Sequence, residues 1–490
     1  MTARRSGQSP LPPSPGDPRA VADLRATRVV IVNWRDPWHP EAGGAERYAW
    51  ETARALVARG AAVTFLTARP AGQPRVERRD GIEIVRRGGR FSVYPRALGW
   101  LLAHRRSADV VLDCQNGIPF FTPLVLPRRV PVLCVVHHVH TAQFGVHFPP
   151  WLARVGRLLE GPAARLAYRR HACVAVSPST VTAMRDRLRW AGDIYLVPNG
   201  SPVPVAGVAR AAEAVGSQPG QAVRLAWIGR LVAHKRAELV LPVAARGFTV
   251  EVIGRGPGGG ALAAALAAAP GLAGAVHLHG YLTEEAKQAI VGRSLLHLNT
   301  SQGEGWGLCV LEAAALGVPT VAYDVEGLRD AVRDGRTGWL VRDGEELADV
   351  VERAVKELVD PARRAEVAAA CRDWAALLSW ERGTARMARL VAASAARGTS
   401  RATRAGAWIV TAGDGEVVAE GPVLDALLES GGELVRPATP TEHLLGEASD
   451  AAARTGAGPS GAGTGDAELS GAGPGDGGPT DVPLPDARPR

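Results

Sequence analysis

The chain has 490 residues, 46% of them hydrophobic, and a formal net charge of +8. That length is more than one core supports, so two domains with tails are expected. No apolar run is long enough to span a bilayer, and the five cysteines (Cys114, Cys134, Cys173, Cys309, Cys371) lack ligand-like spacing, which disfavours a zinc site or a disulfide scaffold and suits reduced thiols in the cytoplasm.

Residues 1–27 are rich in Pro, Ser and Arg, lack periodicity and an apolar leader, and are expected to be disordered. Arg28–Asn33 reads as a buried parallel strand, a continuous β-branched run. The loop after it contains Gly43-Gly44-Ala45-Glu46, a helix follows that ends at Arg59-Gly60, and Ala61–Thr67 is the next strand. Strand, loop, helix and strand make a βαβ unit that opens a doubly wound sheet. The glycines are not spaced Gly-x-Gly-x-x-Gly and no acidic residue follows the second strand, which disfavours a dinucleotide dehydrogenase. The rhythm continues with strands at Glu83–Arg86, Val110–Asp113, Val130–Val136, Cys173–Val176 and Asp193–Val197. Helices are expected at Pro95–His104, around Trp151–Arg169 and at Thr180–Arg189. His137, His138 and His140 follow Val130–Val136, at the carboxyl end of a parallel strand, where ligands meet such sheets.

A first Rossmann-like domain is therefore placed at residues 28–203 and a Pro/Gly/Ala/Ser-rich hinge at 204–221. A second α/β series occupies 222–378 and a crossover helix 379–396. An extension at 397–448 holds a hairpin, Trp408–Glu420 with Asp414-Gly415 as its turn. The Gly/Ala/Pro/Asp-rich tail 449–490 is expected to be disordered. In the second series the strand Leu295–Asn299 feeds a stretch that carries Glu304 and Glu312. Gly303, Gly305 and Gly307 punctuate it, Leu308, Val310, Leu311, Ala314 and Ala315 begin a buried helix, and Gly317 and Pro319 stop it. An unpaired carboxylate on a buried helix is costly. Two glutamates at a glycine-rich helix entrance suit a polyhydroxylated, phosphate-bearing ligand, because bare amides there face an anion. A capping loop with a hydrogen-bonded glutamate is the other reading.

Charge is unevenly placed. Residues 1–200 carry 29 arginines, no lysine and 14 acidic residues, a balance of +15, which leaves −7 for the rest of the chain. A basic first half points to an anionic partner or to a merely solvated arginine-rich face. Nucleic acid is disfavoured, since the arginines show no aromatic interleaving and no known module. The expected helix Pro95–Arg106 joins Trp100, Leu101 and Leu102 to Arg96, Arg105 and Arg106, with Arg86, Arg87 and Arg90 just before it. That composition suits an anionic membrane surface, and equally a packed helix with a solvated rim.

Several segments occur together in one order: Gly43-Gly44-Ala45-Glu46, His137, Ser177-Pro178-Ser179, Val197–Gly200, Trp227–Leu231 with Lys235, Val252–Pro257, Val276–Gly280, Glu304–Glu312 and Gly335–Gly338. This set, spanning roughly residues 28–395, resembles the retaining GT-B glycosyltransferases of family 4. The resemblance implies two Rossmann-like doubly wound domains facing across a cleft, with the acceptor on the first and the donor on the second. It implies transfer of a hexose of mannose or glucose type, with retention, from a GDP- or UDP-hexose to a glycan or lipid-linked acceptor of cell-envelope synthesis. The setting would be cytoplasmic, at the inner face of the cell membrane. No metal or other cofactor is expected, because the sequence holds no Asp-x-Asp pair.

By the same resemblance Arg230 and Lys235 hold the diphosphate, a planar fork and a point charge. Glu312 accepts from the ribose hydroxyls and Glu304 faces the transferred sugar. Gly305 and the amides of Trp306, Gly307 and Leu308 cover sugar and phosphate, with Trp306 standing where the family usually has Phe. Gly43 and Gly44 let the first domain approach the diphosphate or the acceptor, while Glu46 caps the helix that follows. His137 is the first domain's candidate at the sugar, with His138 and His140 as open alternatives. No carboxylate nucleophile is evident, so a front-face displacement is expected. Two other readings stay open: a nucleotide-sugar-binding regulator without catalysis, and a GT-B epimerase or phosphorylase.

Overall fold

The computed structural model describes residues 22–141, 143–205 and 222–397, and beyond them the backbone of three short strands. Its first sheet has eight strands: β1 Arg28–Val32, β2 Ala62–Thr67, β3 Val76–Arg79, β4 Ile82–Arg86, β5 Val110–Gln115, β6 Val132–Val136, β7 Ala172–Ala175 and β8 Ile194–Leu196. They lie in the order β3-β4-β2-β1-β5-β6-β7-β8, all parallel except β3, which runs antiparallel to β4. Alternation along β1 sends Val29 and Ile31 to one face and Val30 and Val32 to the other. Both faces are buried: the first against Tyr48, Ala53 and Leu56 of the helix Gly44–Ala58, the second against Val93, Ala97 and Leu101. Two covered faces explain why β1 reads as an unbroken β-branched run.

The second sheet holds β9 Arg224–Ile228, β10 Thr249–Ile253, β11 Val276–Gly280, β12 Leu296–Asn299, β13 Thr320–Tyr323 and β14 Gly338–Val341. All are parallel, in the order β11-β10-β9-β12-β13-β14. The strand order of such a sheet reverses at one point, between β9 and β12, and between β1 and β5 in the first sheet. Ligands bind at the carboxyl ends of strands beside that reversal. The loops leaving those ends carry Asn33–Gly43, Gly229–Lys235 and Thr300–Gly307.

The segments joining the sheets touch each other. The Ser201 amide donates to the Leu378 carbonyl at 2.6 Å, and Ser201 bridges to Ser379 in parallel fashion. A side chain at Gly200 would overlap Trp380. From there the helix Trp380–Arg397 returns to the first sheet, burying Met387, Ala388 and Val391 with Leu56 and Phe65.

Four expectations meet a different outcome or fall outside the described residues. Residues 22–27, read as part of a disordered tail, are folded: Leu24 is buried and its amide donates to the Arg59 carbonyl at 3.0 Å. One apolar residue among polar neighbours carries no period, so the sequence hides it. Arg86, counted with a basic surface, is fully buried and paired with Asp36 (2.5 Å) and Glu77 (2.7 Å). On the helix Val93–Ala103 Leu101 is buried and Trp100 stacks on His104 with ring centroids 4.1 Å apart, so the apolar face turned outward shrinks to Leu102. The hinge expected at 204–221 lies outside the described residues beyond Val205, as do the tails 1–21 and 449–490. In the extension, β15 Trp408–Thr411 pairs antiparallel with β16 Val417–Glu420, as a hairpin requires, and β17 Leu434–Pro437 adds a third strand on its other side.

Candidate active site

Two helices begin next to each other. Gly43 precedes the helix Gly44–Ala58, and its amide is taken by the Glu46 carboxylate at 2.7 Å, so Glu46 caps that helix. Gly307, in the left-handed region at φ 96°, precedes the helix Leu308–Ala315. A Cβ at Gly44 would stand 2.8 Å from Leu308, so the two entrances abut. Among the described residues nothing accepts from the amides of Trp306, Gly307 and Leu308. Unpaired amides at a helix start form an anion site. The Trp306 indole is buried with Leu311 and Leu328, so only its backbone is left for a ligand.

Glu304 leaves the end of β12 in the loop before that helix. Its carboxylate takes an ion pair from Lys235 and a hydrogen bond from the Ser301 hydroxyl at 2.7 Å. Burial opposes its ionisation, but the Lys235 ammonium and these hydrogen bonds prevail and hold the carboxyl below its usual range. Burial likewise pulls Lys235 down, and the Glu304 charge more than restores it. The pair is therefore ionised throughout the neutral range. Arg230, on the same loop as Lys235, is exposed and makes no ion pair among the described residues.

Glu312 sits on the fifth residue of its helix. It accepts from Lys287 at 2.8 Å and from Arg47 at 3.3 Å, the second reaching over from the first domain. Neither cation was singled out in the sequence, although a signal existed. The chain has only three lysines, and two of them, Lys235 and Lys287, pair with the two site glutamates. Arg35, on the loop after β1, is a third unforeseen member. Its guanidinium lies over the Trp34 ring at 4.0 Å and within ion-pair distance of Glu41 (3.5 Å) and Glu46 (3.9 Å), and its Nε is buried without a hydrogen-bond partner. Burial lowers its pKa, and the Arg230 and Arg90 charges add to that while Glu46 and Glu41 oppose it. Two guanidiniums close enough to repel each other favour an anion between them. Position alone, at the carboxyl end of a strand beside the reversal point, would have flagged Arg35.

The three histidines separate. His137 is buried, its ring edge-on to Tyr48 at 5.2 Å, and its Nε2 has no partner. Burial, then His140, push its pKa down to about 4. His138 lies beside Gly303, hydrogen-bonds the Glu304 backbone, and is lowered to about 3, chiefly by burial. His140 stands 3.5 Å from the buried Glu160. Against that backbone the second domain presses directly: a Cβ at Gly305 would overlap the His137 carbonyl oxygen. The Ser179 amide donates to Asp330 at 2.9 Å and Arg187 pairs with Glu326, closing the same seam.

Buried neutral histidines make stability depend on pH. His137 and His138, with His171 (about 4) and His297 (about 3), all titrate below the ordinary value of 6.5 because burial disfavours their charged form. The unfolded chain gains protons as pH falls through 6.5, and the folded chain gains them only near 4 (His137, His171) or near 3 (His138, His297). Stability is thus present above 6.5 and falls towards 4, by about 2 kcal/mol per histidine at pH 5. Thermal melts from pH 7.5 to 5 are expected to show a steadily falling midpoint, and a flat profile would contradict the burial of these rings.

Residues 42–202 match the family described as Glycosyltransferase Family 4, and residues 222–357 match Glycosyl transferases group 1. The chain carries a glycosyltransferase domain in each half and is an enzyme of that class. A D-inositol 3-phosphate glycosyltransferase from Nocardiopsis dassonvillei is 28% identical over 393 residues, 71% of this chain and 88% of that one. Sucrose-phosphate synthase from Thermosynechococcus elongatus superposes with a TM-score of 0.61 at 20% identity, over 74% of this chain and 98% of that one. An Anabaena HepE structure in complex with UDP and glucose gives 0.56 at 17% identity, over 75% and 100%. The fold is that of the GT-B glycosyltransferases, two parallel-sheet α/β domains.

Proposed function

We propose that the chain moves a hexose of mannose or glucose type, with retention, from a nucleotide-diphosphate sugar to a hydroxyl of a glycan or lipid-linked acceptor, without a metal. The observation that carries the reading is the Lys235–Glu304 pair at an acceptor-free helix entrance, abutted by a second entrance. Charge develops on the departing diphosphate, and fixed cations and helix amides aimed at it lower the barrier. Arg230, Lys235 and Arg35 supply that charge. Glu312, held by Lys287 and Arg47, keeps lone pairs for the ribose hydroxyls. Glu304 receives hydroxyls of the transferred sugar, and His137, neutral at working pH, offers its free Nε2 from the first domain. With no carboxylate assigned beneath the anomeric carbon, the acceptor attacks on the face the diphosphate leaves, which also takes the acceptor proton.

The acceptor binds the basic first domain. A phosphorylated polyol, as the D-inositol 3-phosphate glycosyltransferases take by name, and a lipid-linked glycan both suit that charge. Support for the donor comes from HepE, which holds UDP and glucose. A thermal-shift panel of GDP-, UDP- and ADP-sugars tests the reading: one base is expected to raise the midpoint, and Glu312→Ala to weaken that nucleotide about tenfold or more. No shift with any of them would dismiss the donor assignment. Binding without release of the nucleotide diphosphate, in the presence of phosphorylated polyols and lipid-linked glycans, would instead mark a regulator.

A further inference from the structure

Large apolar side chains stand on the wrong side of one helical segment. Residues 150–167 run along the outside of the first domain as the helix Pro150–Leu158, a wide turn Leu159–Ala163 and the helix Ala164–Ala167. The face turned inward is made of Ala153, Gly156, Gly161 and Ala164, together with Glu160. The face turned outward carries Trp151, Val155, Leu158 and Leu166, which are 67, 41, 56 and 65% exposed. Spacings of four and three residues put the first three on one stripe. An amphipathic helix of a soluble domain normally buries such a stripe. Here it cannot turn over, because it docks by its small face: a Cβ at Gly156 would already come 2.8 Å from the Phe144 ring. Next to the stripe, Leu124 (70% exposed) and Leu166 line an apolar cavity of about 710 Å³ with Phe121 and Leu126.

The charges around this face have one sign. Arg154, Arg157, Arg165, Arg169 and Arg170 lie on the segment or just after it, and Arg128 borders the cavity. Arg157 and Arg165 donate to the Thr141 and Leu188 carbonyls, which leaves their charge uncompensated. No carboxylate pairs with any of the six among the described residues. The segment's one acid, Glu160, is fully buried and accepts from the His140 amide at 2.6 Å. A stripe of Trp and Leu flanked only by cations complements a continuous anionic, apolar-backed surface, where tryptophan settles at the headgroups and arginine reaches the phosphates.

We propose that this face docks the protein on an anionic phospholipid surface, with Trp151, Leu158 and Leu166 inserted among the headgroups and the arginines on the lipid phosphates. The inference is independent of the donor and acceptor assignments. It locates the surface on residues 150–170, not on the helix Val93–Ala103 with its flanking arginines.

Flotation of the full chain with phosphatidylcholine vesicles, with and without phosphatidylglycerol, tests it. The chain is expected to float only with the anionic lipid, and less as salt is added. The triple substitution Trp151→Ser, Leu158→Ser, Leu166→Ser should abolish flotation and leave the melting temperature unchanged, since these side chains face solvent. Arg154→Gln with Arg169→Gln should lower partitioning about fivefold for each arginine removed. Phe91→Ser with Leu102→Ser, the exposed apolar residues just before and on the helix Val93–Ala103, should change nothing. The proposal is overturned if the parent does not float, if the triple variant floats equally well, or if only the Phe91 and Leu102 variant loses binding. It is also overturned if light scattering finds a parent dimer that the triple variant splits, which would make a second copy the occupant.

Discussion

Replacing Glu304 by Gln is expected to lower kcat about 100- to 1,000-fold while leaving the dissociation constant of the nucleotide diphosphate within a few fold of the parent. The loop after β12 puts this carboxylate between Lys235 and Ser301, before the amides of the following helix. Glutamine keeps the shape and the Ser301 contact. It loses the charge that holds the Lys235 ammonium in place, and with it an acceptor for the sugar hydroxyls. Only interactions stronger in the transition state than in the bound state change kcat, so the loss should fall on turnover. Lys235→Met is not the mirror experiment, because it strands a buried carboxylate without its counterion and should destabilise the fold as well. Single-turnover rates and calorimetric titration of the diphosphate separate the two quantities. If affinity falls in step with kcat, Glu304 serves the nucleotide, and its role and that of Glu312 have been exchanged.

Gly305→Ala should be nearly as damaging for a different reason. A methyl group there would overlap the His137 carbonyl oxygen and stand 3.1 Å from its carbon, backbone against backbone. Neither atom can swing away, so the seam between the two domains must open. A displacement of about 1 Å costs on the order of hundredfold in rate, and kcat should fall by at least that much. One buried apolar cluster joins Trp306, Val310 and Leu328 to first-domain residues, so the melting temperature should fall as well, while small-angle scattering should report a larger radius of gyration. An alanine variant with parental activity would show that the contact between Gly305 and His137 is not part of the working state.

The sheets were legible from the sequence because their inner strands are buried on both faces, which turns them into short, mostly apolar runs that need no partner to be seen. Exceptions follow the same physics. β3, Val76–Arg79, is an edge strand with charged residues at three of its four positions, so it carries no apolar signal. Within the site, Glu304 stood out at a glycine-rich helix entrance shared with Glu312, and Lys235 through the family resemblance, as one of two cations five apart on a loop leaving a strand. Lys287 did not, since three residues after Glu284 it reads as an ordinary helix-surface pair, which it also makes at 2.9 Å. Arg47 was invisible for a stronger reason: its partner Glu312 lies 265 positions away, and only the folded chain brings the two together. The rarity of lysine was the one local clue, and it concerned composition rather than pattern.

The paired crossing at Ser201 and Ser379 has a mechanical consequence. A single linker lets two bodies both bend and swivel. Two segments that pass side by side and share a hydrogen bond resist torsion about their common line, yet still flex across it. Relative motion of the two halves is thereby reduced to one soft axis through those serines. A rotation about it carries Gly305 towards or away from His137 along a fixed arc, so that the seam meets in the same register each time it shuts.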